Sequence, residues 1–586
     1  MSAWRPSRWS AWLRRVVQAA VLALFVALVL AARPGAGAPS AALGAFFWFD
    51  PLVLVATALA AHAVPALLLL SLVTVVVTAL LGRVFCGWLC PLGTIHAAAG
   101  RMADWLARRL RRRDHASAWQ KSKYYILAAM LIMAALGGHW VAVWDPLVLL
   151  YRTTAVVLWP ATQWAVEEGS TAVYQSDDKD DWIRPAKLTE PAYRFLRDRV
   201  FVTAQQAYVG TGAIALVFVA MVAANAWRRR FWCRYLCPLG ALLGLCAIRP
   251  LLRRETFEQD EPDRRGDKLP SGAAEGSTDA TAAKAATAAT AADSQLGAKP
   301  CNRCDLCAAT CHGAASSGPG SGWKPAECFV CLNCSASCGR GAMQFRLVWP
   351  WRRRPPVERA GLSRRGLLAS AVGGVAALGL LRSNPQSRGK RFHAALLRPP
   401  GARPEREFLQ RCTACGMCMK ICPTGGLQPT WGEAGLEGLW TPRLVPRIGY
   451  CQYSCNLCGQ VCPTEAIQPL PLEEKQGTKI GLAAFDTTRC IPYAYGRFCG
   501  VCEEHCPIPD KAIYYIEVER IDREGNRSML KQPRVDPDKC IGCGICEFVC
   551  VFRDQPAIRV FSGNESRHPN TNQPILPGGD GFDPYG

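Results

Sequence analysis

The sequence predicts a multidomain protein in which an α-helical membrane bundle carries small α+β domains held together by cysteine-ligated metal. Three observations predict it. The chain has 586 residues, too many for one core. Half of them are hydrophobic, and these gather in the first 250 positions. All but five of the 29 cysteines fall into six groups of four with near-constant spacing, whereas a disulfide scaffold would be a short secreted chain with cysteines scattered through loops.

The net charge of +22 invites a nucleic-acid reading. The basic residues instead bunch beside apolar runs, at Arg108 to Arg113, Arg228 to Arg230 and Arg352 to Arg354, where membrane topology accounts for them. No nucleic-acid partner is expected.

Residues 1–250 predict a four-helix membrane domain. Its spans are Trp12 to Ala32, Leu52 to Leu81, Tyr124 to Trp144 and Val202 to Trp227, each at or above the roughly 20 helical residues that cross a bilayer. The connection from Gly82 to Lys123 is rich in arginine and the others are not, so both ends of the unit are expected in the cytoplasm. A repeat runs through it. WFDPLVLV at 48–55 returns as VWDPLVLL at 143–150, and RVFCGWLCPLG at 83–93 returns as RFWCRYLCPLG at 230–240. Each copy joins an outer DPL element to an inner C-x3-C-P element, with an insertion from Trp159 to Arg199 in the second copy. Such a duplication predicts two-fold pseudo-symmetry about the membrane normal.

Asp50 and Asp145, each followed by proline, fit helix N-caps better than acceptors of quinol protons, the competing reading. His62 lies within a span and is a catalytic candidate on that ground alone; His139 is no stronger. Cys86, Cys90, Cys233 and Cys237 carry more weight. If the copies face one another, four thiols meet at the inner rim and could hold a further iron–sulfur centre; redox-active thiols or plain packing are the alternatives. Cys246 reads as a small buried apolar residue.

Residues 251–299 carry few large apolar side chains and read as a disordered linker. In 300–350, Cys301, Cys304, Cys307 and Cys311 are followed by Cys328, Cys331, Cys334 and Cys338. Both groups are C-x2-C-x2-C-x3-C, the spacing that wraps three corners of a [4Fe–4S] cube and sends the fourth thiol to the partner cube. Cys338 is thus expected to complete the first cube and Cys311 the second. Residues 395–561 hold four further groups: Cys412, Cys415, Cys418, Cys422; Cys451, Cys455, Cys458, Cys462; Cys490, Cys499, Cys502, Cys506; and Cys540, Cys543, Cys546, Cys550. The expectation is bacterial-ferredoxin-like α+β iron–sulfur domains with six [4Fe–4S] clusters in all. In the four-cluster domain the outer two motifs are expected to pair, and the inner two. Residues 562–586 read as an irregular tail. Without C-x-x-C-H, G-x-G-x-x-G or a P-loop, neither c-type haem nor NAD is supported.

Residues 1–350 resemble NapH, the membrane iron–sulfur subunit associated with periplasmic nitrate reductase, in their spans, C-x3-C-P elements and tandem ferredoxin motifs. Residues 363–560 resemble NapG, a polyferredoxin with a twin-arginine signal, in LRPPGA (397–402), CPTGGLQP (422–429), LWTPRLVPRIGYC (439–451), CGQVCPTEAI (458–467) and CEEHCPIPDKAI (502–513). The MauN–MauM pair and the membrane part of NosR share much of this pattern. The resemblance implies a quinol dehydrogenase-type electron carrier in the bacterial inner membrane. It would draw on the quinone pool and serve a periplasmic cytochrome or terminal reductase.

It also accounts for SRRGLLASAVGGVAALGLL at 363–381, an export-signal-like stretch deep inside a chain. The resemblance implies that two proteins are fused, with residues 360–382 expected as a fifth helix that carries the four-cluster domain to the periplasm while the two-cluster domain stays inside. The alternative is a helix joining two cytoplasmic ferredoxin domains. For function, the rival classes are a redox maturation or sensing protein that reduces a metal or thiol on a partner, and a zinc scaffold.

Overall fold

A computed structural model describes residues 8–32, 41–106, 117–176, 185–201, 206–256, 300–315, 323–349, 361–383, 393–521, 525 and 527–567. Its backbone gathers into two compact units. One comprises Met1–Ala23, Val73–Tyr124 and Met221–Ser363; the other Leu24–Leu72, Tyr125–Ala220 and Arg364–Gly586. The chain changes unit inside four helices and at the head of a fifth.

The first apolar run forms one helix, Arg8–Ala31. The second does not. Its Pro51–Ala61 helix stops at His62, whose φ of 49° is left-handed, and Pro65 bars the helix from resuming at once. The chain continues as a 3-10 turn, Ala66–Leu70, and a helix, Ser71–Leu81. The third run yields Ser122–Ala135 and ends at Gly137 and Gly138, Gly137 taking a φ of +81°. The fourth yields Thr211–Ala223, prolonged to Ala226. Arg364–Leu381 is a single 18-residue helix.

Among the described residues two helices, Trp9–Ala31 and Arg364–Leu381, are long and apolar enough to span a bilayer, while Ala66–Leu81 and Thr211–Ala226 are shorter. The bundle of four full spans plus a fifth is therefore not what these lengths show. A hydropathy run averages across Pro65 and the paired glycines; the backbone cannot. Large apolar side chains nonetheless face outward on the shorter helices as well, Val76 at 55% and Leu216 at 69% exposed.

In the first unit the C-x3-C-P elements are Phe85–Leu89 with Pro91–Leu106, and Phe231–Tyr235 with Pro238–Cys246. The two-cluster domain packs on them. Its antiparallel ribbon pairs Leu252–Thr256 with Met343–Leu347, so the strand takes up the head of the segment read as linker, and residues 257–299 lie outside the described set. Val330, Leu332, Cys334 and Phe345 form its core against Val84 and Trp88. The approach is close: a Cβ on Gly87 would stand 2.1 Å from the Phe329 carbonyl oxygen. Arg14 donates to the Cys331 carbonyl (2.5 Å) and Trp88 to that of Val330 (3.0 Å).

In the second unit the DPL helices Pro51–Ala61 and Pro146–Thr153 lie buried. The insertion forms helices Trp159–Gln175 and Pro185–Arg199. The C-terminal domain has short antiparallel ribbons, Leu427–Pro429 with Pro442–Leu444 and Leu482–Phe485 with Ile558–Phe561, and a long hairpin, Ile513–Ile521 with Arg527–Val535. A buried ion-pair network closes it, in which Arg398 (2.6 Å) and Arg567 (2.7 Å) both hold Glu405. Of the tail, residues 562–567 are described and are tied down through Arg567; the rest lies outside the described residues.

Candidate metal centres

The two C-x3-C-P copies adopt the same local geometry. Proline after the second cysteine starts a helix, and that cysteine becomes its N-cap. The Cys90 sulfur accepts from the Gly93 amide (3.4 Å) and the Cys237 sulfur from the Gly240 amide (3.2 Å). Cys86, Cys90, Cys233 and Cys237 are between 5% and 9% exposed. They converge: Cys86, Cys90 and Cys233 are all electrostatic neighbours of Cys237. At that depth no partner's disulfide can reach them, which counts against exchange chemistry and for ligation.

The surrounding charge fits an anionic centre. Arg83, Lys123, Arg230 and Arg234 are each at most 1% exposed. Glu327 pairs with Arg83 at 3.7 Å and also holds Lys123. Arg230 donates to the Cys86 carbonyl (3.0 Å), and both Arg83 and Arg230 lie over the Phe329 ring. Among the described residues Glu327 stands against Arg83, Lys123 and Arg230, and that positive excess is one that thiolates around a cube would offset. These cations were not foreseen, although Arg83 and Arg230 open the two repeated peptides.

The ferredoxin cysteines assemble in sets that cross between motifs. Cys328, Cys331 and Cys334 line one cavity with Cys311, as expected. Cys301 and Cys307 are neighbours, and the chain on either side of Cys338 lies against the first motif, Arg340 donating to the Pro300 carbonyl (2.7 Å) and the Ser337 and Thr310 hydroxyls meeting at 3.0 Å. In the C-terminal domain, Cys412, Cys415 and Cys418 have Cys462 beside them. In return Cys422 lines the cavity of Cys451, Cys455 and Cys458. Likewise Cys550 lines that of Cys490, Cys499 and Cys502, and Cys506 that of Cys540, Cys543 and Cys546. The expected pairing of outer with outer and inner with inner motifs is thus wrong: the first pairs with the second and the third with the fourth. Each fourth cysteine is aimed by the helix that precedes it, and neighbouring motifs pack helix on helix.

Among the described residues no three metal-binding side chains close on a point where one metal ion would sit. A cube needs no such point, because each of its thiolates takes a different iron. The crossed exchange suits [4Fe–4S] ligation; the thiols themselves range from buried, as at Cys418 and Cys546, to exposed at Cys304.

The acid candidates also come together. Asp50 accepts from the Leu52 and Val53 amides and Asp145 from those of Leu147 and Val148, so both are caps. Both are fully buried, and each is an electrostatic neighbour of the other. His62, by contrast, is exposed at a helix end. His139 is buried, 3.2 Å from the Thr57 hydroxyl. Cys246 is only half-buried.

Two 4Fe-4S binding domain families match the chain, one at residues 63–113 and 209–254, the other at 409–428 and 533–550. The first match covers both C-x3-C-P elements. The ferredoxin-type protein NapG of Escherichia coli is 37% identical over 202 residues, 34% of this chain and 85% of that protein. The methylamine utilization ferredoxin-type protein MauM of Methylorubrum extorquens is 37% identical over 217 residues, 35% of this chain and 94% of that one. The ferredoxin-type protein NapH of Haemophilus influenzae is 25% identical over 268 residues, 44% of this chain and 73% of that one. No solved structure matches. The chain belongs to the NapG/MauM family of ferredoxin-type proteins, and it is a NapGH/MauM-like iron–sulfur electron-transfer protein.

Proposed function

We propose that the chain oxidises quinol at the bacterial inner membrane and delivers the electrons to a periplasmic cytochrome or terminal reductase. The observation that carries this reading is the sorting of elements between the two units. Asp50 and Asp145, outer by charge bias, share a unit with residues 364–586, and the C-x3-C-P elements share the other with the two-cluster domain. Within the second unit the C-terminal domain rests on the DPL segment. Gly416 faces Val156 (3.2 Å from a Cβ), Arg152 stacks on Trp440 (4.3 Å), and the Lys420 ammonium donates to the Ala32 carbonyl (2.7 Å). On this reading residues 383–586 are periplasmic and the first ferredoxin domain is cytoplasmic.

Oxidation of one quinol yields quinone, two protons and two electrons. The six ferredoxin sets, and a seventh centre on Cys86, Cys90, Cys233 and Cys237, supply one-electron storage when loaded. The chain's own residues hold the ligands, and of the Asp50–Asp145 pair the one ionised carboxylate is offered as acceptor for one proton, the second proton passing to water at the outer surface. The buried C-x3-C-P thiols count against the maturation or sensing alternative. The test is spectroscopic: in anaerobic membranes, added quinol should bleach the iron–sulfur absorbance, and clusters that all stay oxidised would sink the proposal. A topology reporter after Gly586 should report the periplasm.

A further inference from the structure

The four ligand sets of the C-terminal domain are not strung in chain order. We infer that they form a row in the order first, second, fourth, third, with Cys451 and Cys543 as the joint between its two halves. The inference rests on reading these thiols as cube ligands and is independent of quinol as the donor.

Three contacts define the row. Between the first and second sets, Cys418 has Cys458 among its neighbours, and the short helices Met417–Ile421 and Leu457–Gln460 pack together. Between the second and fourth, the Cys451 amide donates to the Cys543 carbonyl at 2.8 Å. That joint is reinforced on both sides: the Tyr450 and Phe548 rings meet at 5.2 Å, and the Ile480 amide donates to the Ile541 carbonyl at 3.0 Å. Between the fourth and third, Cys546 has Cys502 beside it, and helices Val501–Glu504 and Ile545–Val549 pack together.

The ends of the row differ. Tyr151 and Arg152, in the second DPL helix, lie beside Cys415 of the first set. The third set carries the longest spacing, Cys490 to Cys499, on a loop whose Tyr495 and Phe498 are 60% and 61% exposed. A terminal set has no further set to pack against, which leaves room for that loop. Electron tunnelling falls steeply with separation, so only neighbouring sets exchange electrons directly. The third set is then the end that meets an acceptor.

Magnetic coupling between reduced clusters tests the order. The full chain is reduced with dithionite, which gives one electron per cube, and examined by EPR. The double variant Cys543→Ala/Cys546→Ala removes the fourth set. The third set should then lose its spin–spin splitting while the first and second keep theirs. A third set still split by the second would overturn the order.

Cys543→Ser covers the case in which cluster loss unfolds the domain, since an oxygen ligand can keep the cube and shift its reduction potential. The second and third sets should respond in a redox titration and the first should not; a response in the first, or none in the second, would overturn the proposal. Because dithionite supplies the electrons, a failed quinol assay leaves this result standing, and an iron-free chain would sink the ligand reading instead.

Discussion

Asp50 and Asp145, one from each copy of the repeat, meet in the interior of their unit, each capping its own helix with one carboxylate oxygen. Their second oxygens are buried without a hydrogen-bond partner among the described residues. Two carboxylates cannot both stay charged at that depth. Burial, then the neighbouring acid, holds Asp50 well above the usual carboxylate range, and burial pushes Asp145 up to about 6.

A prediction about pH follows. A carboxyl with a raised folded-state pKa stabilises the fold fully below its unfolded value and loses that contribution as pH rises through the folded one. The thermal midpoint should therefore fall from about pH 4 upward, past 6. Asp50→Asn keeps the cap acceptor and offers an amide to Asp145, so it should flatten that slope. An unchanged slope in the variant would show that the two acids do not share a proton.

Glu405 should behave in the opposite sense. Burial alone would raise its carboxyl, but Arg398 and Arg567 pull it down to about 2. Its contribution is present above the unfolded value of about 4.5 and lost as pH falls toward 2. Glu405→Ala takes the carboxylate from the buried Arg398 guanidinium, while Arg567 keeps Glu565, and should cost about 3–5 kcal/mol in chemical denaturation. Glu405→Gln should remove the acid-side dependence with a smaller loss.

The C-x3-C-P thiols make a count. If they hold a cube, Cys86→Ala/Cys237→Ala should lower iron by about four atoms per chain and leave the ferredoxin sets loaded. Elemental analysis against protein mass reads this directly, and unchanged iron would mean that these cysteines only pack.

Gly87→Ala tests the seat of the two-cluster domain. The new methyl would collide with the Phe329 carbonyl oxygen, 2.1 Å away, and the backbone shift should cost about 1–3 kcal/mol. Gly169→Ala is the control. Nothing lies within 4 Å of its Cβ position inside the Trp159–Gln175 helix, so it should stabilise by about 0.5–1 kcal/mol.

What the sequence revealed and what it hid have physical causes. Cysteine spacing and Asp-Pro pairs are local constraints, so the ferredoxin motifs, both N-caps and the placing of Cys311 beside Cys328, Cys331 and Cys334 could be read directly from them. Which motif exchanges with which depends on helix packing across about 40 residues, and spacing carries no trace of it. The cations around the C-x3-C-P thiols were hidden for another reason: Lys123, Arg230 and Glu327 come from separate stretches and meet only in the fold. His62 looked intramembrane because hydropathy ignores Pro65. The insertion from Trp159 to Arg199 resolved into two helices, at Trp159–Gln175 and Pro185–Arg199.

The second unit is assembled from three separated stretches, and this bears on biosynthesis. Leu24–Leu72 and Tyr125–Ala220 leave the ribosome before anything past Arg364 is made. The late-emerging third meets a ledge already built, where Ala32 waits for Lys420 and Val156 for Gly416. Expressed alone, residues 364–586 would expose that underside, Trp440 and a buried ammonium included, to water. Such a fragment should aggregate, and co-expression of residues 1–363 should rescue it.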